Sequence, residues 1–141
     1  MAARPGLERF RDIHQDRLEK LGQQLQQQRS QSERYAHNAQ QLQTIYDECQ
    51  VSGGESAFAW HNRHQLRGNL QHLEKLQQQH LALAEAEQRR LQHTLMQQNV
   101  KVKSLDTVLD KRKKAAQLRV SKAEQKLNDE IGAQRYFHQK R

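Results

Sequence analysis

The chain has 141 residues, 34% of them hydrophobic, 5% aromatic and 28% charged, and carries one proline, Pro5. That composition is too polar for a globular core; rich in Gln, Glu, Lys, Arg, Ala and Leu, it suits long helices, with disorder as the competing reading that periodicity has to decide. The formal charge of +8 and the pI near 9.9 suggest an acidic partner: nucleic acid, an anionic membrane or an acidic protein surface.

No stretch approaches the roughly 20 apolar residues that span a bilayer. The start, Met1-Ala2-Ala3-Arg4-Pro5-Gly6, has no apolar signal-peptide core. The single cysteine, Cys49, has no internal disulfide partner. These features favour the cytosol.

A first helix is expected over about 7–50. Steps of four and three residues from Leu7 reach Arg11, His14, Leu18, Leu21, Leu25, Gln28, Ser32, Tyr35, Ala39, Leu42, Tyr46 and Cys49 without a slip. This heptad seam keeps one narrow stripe facing a partner helix. Its polar middle is Gln28 and Ser32.

The hinge, 51–56, reads Val51-Ser52-Gly53-Gly54-Glu55-Ser56. Adjacent glycines cost about 1 kcal/mol each inside a helix and are common just past its end. Ser52 and Glu55 have capping-box spacing, and Ser56 is a second candidate N-cap.

A second helix is expected over about 57–137. Its expected seam is Leu66, Leu70, Leu73, Gln77, His80, Ala84, Glu87, Leu91, Leu95, Gln98 and Val102. Folded antiparallel across the glycines, Leu42 meets Leu66, Tyr35 meets Leu73, Leu25 meets Ala84, Leu18 meets Leu91 and Leu7 meets Val102. The polar positions coincide as well, Ser32 with Gln77 and Gln28 with His80, and such a layer holds register at some cost in stability. Glu87 opposite Leu21 does not fit. A parallel homodimer, which needs no tip, is the less favoured arrangement. The expected fold is therefore all-α: one antiparallel two-helix coiled-coil hairpin with a longer second helix, forming a single domain over 1–141.

This pairing exhausts the first helix near Val102 and leaves an overhang from about 103. As helix it spans roughly 50 Å at ~1.5 Å per residue. The apolar pattern continues through Leu105, Leu109, Ala116, Val120, Ala123, Leu127 and Ile131. From Lys103 to Arg141 there are eleven Lys or Arg against five Asp or Glu, densest at Lys111-Arg112-Lys113-Lys114. The overhang is either frayed or a helix that docks into another protein.

Nothing in the chain has the pattern of an enzyme. It has neither a phosphate-binding glycine loop nor a strand to carry a nucleophile. The acid pairs Glu85/Glu87 and Asp129/Glu130 read as solvated helix charges. His61 and His64 have i, i+3 spacing, but no third ligand stands near to complete a tetrahedral site. No catalytic, cofactor or metal residues are expected. Cys49, on the seam, reads as a packed residue. Phe58 and Trp60 either close the end of the hairpin or form an exposed anchor. The basic cluster lacks interleaved aromatics and basic-region geometry, which ranks nucleic acid below an acidic protein.

The layout resembles the FliJ family, the small coiled-coil component of the bacterial flagellar type III export apparatus, and its YscO-like relatives in injectisomes. The resemblance spans nearly the whole chain. It is carried by Leu42 through Glu48-Cys49 before the hinge, Trp60 after it, Leu73-Glu74-Lys75, and Glu124-Gln125-Lys126-Leu127-Asn128-Asp129-Glu130 near the end. Cys49 stands where the family often has an aromatic residue, and the hinge is short.

The resemblance implies a non-enzymatic stalk that looks like the rotor of rotary ATPases. The open end of such a hairpin enters the hexameric export ATPase and promotes its assembly and activity. The tip half contacts the cytoplasmic domain of the export gate protein FlhA, and family members help recycle export chaperones. The gate-binding set is then Leu42, Ile45, Cys49, Trp60, Leu66, Leu70 and Leu73. The ATPase-binding set is Leu105, Leu109, Lys111, Arg112, Lys113, Lys114 and Arg119. The implied location is the cytoplasmic face of the inner membrane at the flagellar base, peripheral through protein partners. A generic coiled-coil adaptor or chaperone escort is the alternative, and a nucleic-acid or membrane-surface binder ranks third.

Overall fold

A computed structural model describes residues 6–49 and 53–140. They form two helices, α1 (Gly6–Glu48) and α2 (Ala57–Gln139), packed as a hairpin whose second helix is the longer. No described residue lies in a strand. The chain divides into two units, one of Arg17–Gln97 and one of Met1–Asp16 with Gln98–Arg141.

The tip belongs to the Arg17–Gln97 unit. α1 ends where the Cys49 N–H is shared between the carbonyls of Ile45, 3.0 Å, and Tyr46, 3.2 Å. Such three-centre bonds are common at helix ends. Gly54 has φ of +99°, a backbone state costly for any residue with a Cβ. Ser56 is the N-cap of α2: its Oγ accepts from the Ala59 N–H at 3.2 Å. Ser52, the other capping candidate, lies outside the described residues, as does Val51. Glu55 pairs with Arg63 at 2.6 Å, fastening the entry to α2.

Along α1 the expected seam is the observed one. All thirteen positions from Leu7 to Cys49 are buried or half-buried, with Leu25 and Ala39 the best-covered apolar residues. Along α2 the expected phase needs correction. One unbroken stripe of covered positions runs Arg63, Arg67, Leu70, Glu74, Gln77, Leu81, Ala84, Gln88, Leu91, Leu95, Gln98, Val102, Leu105 and Leu109, with Ala59, Glu87, Gln92, Thr94 and Asn99 half-buried beside it. Leu66, Leu73 and His80 are exposed, and Arg67, Glu74 and Leu81 take their places. Glu87 stays at the edge while Gln88 enters the seam. The physical reason is continuity. The expected seam takes two four-residue steps in succession at Glu87, Leu91 and Leu95, which would locally unwind a coiled coil. The observed seam alternates four and three throughout.

The register is corrected as well. The Tyr35 ring stacks on His80 at 5.4 Å, one heptad beyond the expected Leu73. Gln28 therefore does not face His80 across a matched layer. The Ser32 hydroxyl lies 3.5 Å from Gln88 Oε1 rather than opposite Gln77. The Tyr46 hydroxyl accepts from the Gln71 amide at 3.0 Å. In the other unit Arg11 reaches Asp106 and His14 reaches Gln98, so Leu7 opposite Val102 does not hold. A heptad pattern is unchanged by sliding seven residues, so apolar spacing alone cannot choose between these registers.

The cover of α2 consequently extends to Leu109, and the uncovered stretch begins at 110, not about 103. From Asp110 to Lys140 every residue is exposed.

Candidate interaction surfaces

In the unit that holds the start of α1, a buried polar layer comes first. His14 and Gln98 are 8% and 6% exposed. The Gln98 amide nitrogen lies 2.9 Å from the His14 backbone carbonyl and 2.9 Å from its Nδ1. An amide NH₂ only donates, so the carbonyl and Nδ1 both accept from it. The edge of Phe10 packs on the imidazole at 4.4 Å. One turn away, Arg11 donates to both Asp106 oxygens at 2.6 and 3.4 Å and lies 3.5 Å from Asp12. The Asp106 hydrogen bond is the main reason that the Arg11 pKa is pushed still higher.

Beyond Leu109 the same unit presents an uncovered basic helix face. Between 110 and 140 it carries nine Lys or Arg and four Asp or Glu. Lys114 pairs with Asp110 at 3.3 Å, one helical turn apart. Arg112 and Lys113 line an open groove with Glu8, Asp106, Leu109 and Asp110. Apolar residues lie bare among these charges: Leu118, Val120, Leu127, Ile131, Tyr136 and Phe137 are all at least two-fifths exposed. Of the expected ATPase-facing set, Leu105 and Leu109 fall in the covered part of α2, while Lys111, Arg112, Lys113, Lys114 and Arg119 fall in the bare part.

The tip unit presents an apolar surface. Phe58 and Trp60 do not close the hairpin end: they are 76% and 48% exposed. Trp60 stacks flat on His64 at 5.2 Å, one turn along α2. Arg67 covers the ring of Tyr46 at 4.4 Å, a cation–π contact that joins the two helices. Of the expected gate-facing set, Ile45, Trp60, Leu66 and Leu73 are exposed, Leu42 and Cys49 are half-buried on the seam, and Leu70 is buried. Sequence reasoning missed Leu76, His80 and Leu83, which share the exposed face with Leu66 and Leu73. The signal was the seven-residue spacing of Leu66/Leu73 and Leu76/Leu83. Glu87, the misfit of the expected seam, instead accepts from Arg90 at 2.6 and 2.9 Å. That hydrogen bond holds its carboxyl below the usual carboxylate range.

Among the described residues no group of three or more His, Cys, Asp or Glu is placed to hold a metal. No helix among them is long and apolar enough to cross a membrane.

Residues 4–141 match the sequence profile of the flagellar FliJ protein family. The chain belongs to the FliJ family. A FliJ protein is a non-enzymatic component of the flagellar export apparatus. No curated protein and no solved structure matched the chain. In this FliJ protein the basic part of α2 and the apolar tip face are both exposed.

Proposed function

We propose that this protein is the stalk of the flagellar export ATPase. The bare, basic part of α2 enters the hexameric ATPase and promotes ring assembly and hydrolysis. The tip face contacts the cytoplasmic domain of the gate protein FlhA and couples the two. The same protein helps to recycle export chaperones, working at the cytoplasmic face of the inner membrane through its protein partners. The observation that supports this reading best is that α2 continues 30 residues past its last covered position, Leu109, to Gln139. Isolated apolar stripes on helices are marginal in water, so a helix of this kind gains stability from a surface that covers it. Its excess of cations suits acidic walls, whose charge pairs would steer and orient docking.

The test is steady-state ATP hydrolysis by the cognate export ATPase, with and without this protein, alongside light scattering of the ATPase. The expected result is faster hydrolysis with hexamer formation. A folded protein that neither binds nor stimulates the ATPase would end the stalk reading and favour a chaperone-escort adaptor.

A further inference from the structure

In the tip unit α1 covers the less apolar of two stripes on α2. The covered stripe carries Arg67, Glu74 and Gln77 with Leu70 and Leu81. Leu66 and Leu73, each one residue before a covered charge, are both 46% exposed. The fit leaves a mark: Arg67 Nε and Gln77 Oε1 are buried without a hydrogen-bond partner. Buried polar atoms left so are costly. Tyr46 touches Arg67 and Gln71, and Tyr35 touches His80, which puts Leu42 level with Glu74 and Ala39 level with Gln77.

We infer that the tip unit has a second register, in which α2 slides four residues away from the tip and turns by roughly 50° about its axis. One-turn steps of one packed helix past another are a recognised form of switching. The two stripes share Leu70, Gln77, Ala84 and Leu91, and both alternate steps of three and four. α1 therefore fits either one with its own seam unchanged. In the second register Leu66 lies level with Tyr46, Leu70 with Leu42 and Leu73 with Ala39. Arg67 and Glu74 return to water. Gln77 comes level with Tyr35 and His80 with Ser32, so polar positions meet polar ones.

The observed register is held from farther along. Past Ala84 the covered stripe takes Gln88 and Leu95, where the other takes Glu87 and Thr94. The leucines beside the tip favour the second register, and the residues past Ala84 favour the first. Near the tip the first is held only at the helix edges, by Arg67 over Tyr46, Gln71 on the Tyr46 hydroxyl and Tyr35 on His80. The second register covers Leu66 and Leu73, so it closes the apolar tip face. The inference does not rest on the stalk reading.

The test measures distances between spin labels on full-length protein with Cys49→Ser. The labels sit at Arg34→Cys and Gln65→Cys, both exposed positions. The expected result is a major distance and a minor one shorter by up to about 6 Å, four residues of helical rise. Exchanging neighbours tests the assignment without changing composition. His80→Leu with Leu81→His moves a leucine to the second stripe and should make the shorter distance the major one. Leu73→Glu with Glu74→Leu moves one to the first stripe and should abolish it. Helicity should be unchanged in both. A single distance in the unexchanged protein overturns the inference. So does a shorter distance that the first exchange does not enrich or that survives the second.

Discussion

Gly54 carries the backbone state on which the tip depends. Its φ of +99° places a Cβ in strain even though the space around it is open. Gly54→Ala should therefore cost about 1 kcal/mol, from backbone strain alone. Gly53 has open space and no positive φ, so Gly53→Ala should be neutral or slightly stabilising. Urea unfolding of the two variants separates strain from loss of flexibility. The second residue-scale feature is the His14–Gln98 layer. Gln98→Ala leaves a buried imidazole nitrogen without its donor and should cost about 1–3 kcal/mol. The double change His14→Leu with Gln98→Leu removes both polar partners and should recover most of that loss. Thermal melts of single and double variants measure it. If the double variant were the less stable, the layer would contribute more than register.

At the scale of the element, two leucines on α2 measure which stripe α1 covers. Leu91 is 3% exposed and Leu83 69% exposed. Leu91→Ala should cost about 2–4 kcal/mol, whereas Leu83→Ala should cost less than about 0.5 kcal/mol. Equal losses in denaturant titration would mean that the phase of α2 is wrong. This contrast also marks what was legible beforehand. The seam of α1 could be read completely, because it has one apolar stripe and an unbroken step. α2 has two stripes, one through Leu66, Leu73 and Leu83 and one through Leu70, Leu81 and Leu91. Hydrophobicity alone cannot rank them, and the choice falls to continuity with Gln98, Val102 and Leu109 farther along. Register was not legible either. It rests on particular polar contacts, Arg11 with Asp106 and Ser32 with Gln88, which a repeat of seven leaves undetermined.

For the whole molecule, the bare part of α2 was legible from charge and spacing, but its start was not, since that depends on the register. Ending the chain after Leu109 removes no covered residue, so helicity per residue and unfolding midpoint should be nearly unchanged. Stimulation of the export ATPase should be lost. A shortened protein that still stimulated would place the activity in the hairpin instead. The tip was legible as a turn, through Gly53, Gly54 and Ser56, but the exposure of Trp60 was not, because an aromatic beside a turn serves equally as a plug or an anchor. The hydrogen bonds along the hairpin differ in the length of chain that each one closes. The contact between Tyr46 and Gln71 closes a loop of 25 residues, and that between Arg11 and Asp106 one of 95. Closing the longer loop directly from an open chain carries the larger entropy cost. Once the short one has formed, each next pair closes only a few residues at a time. A helix pair of this kind zips from its turn outward, and its speed is set beside the glycines, whatever happens at the far end of α2.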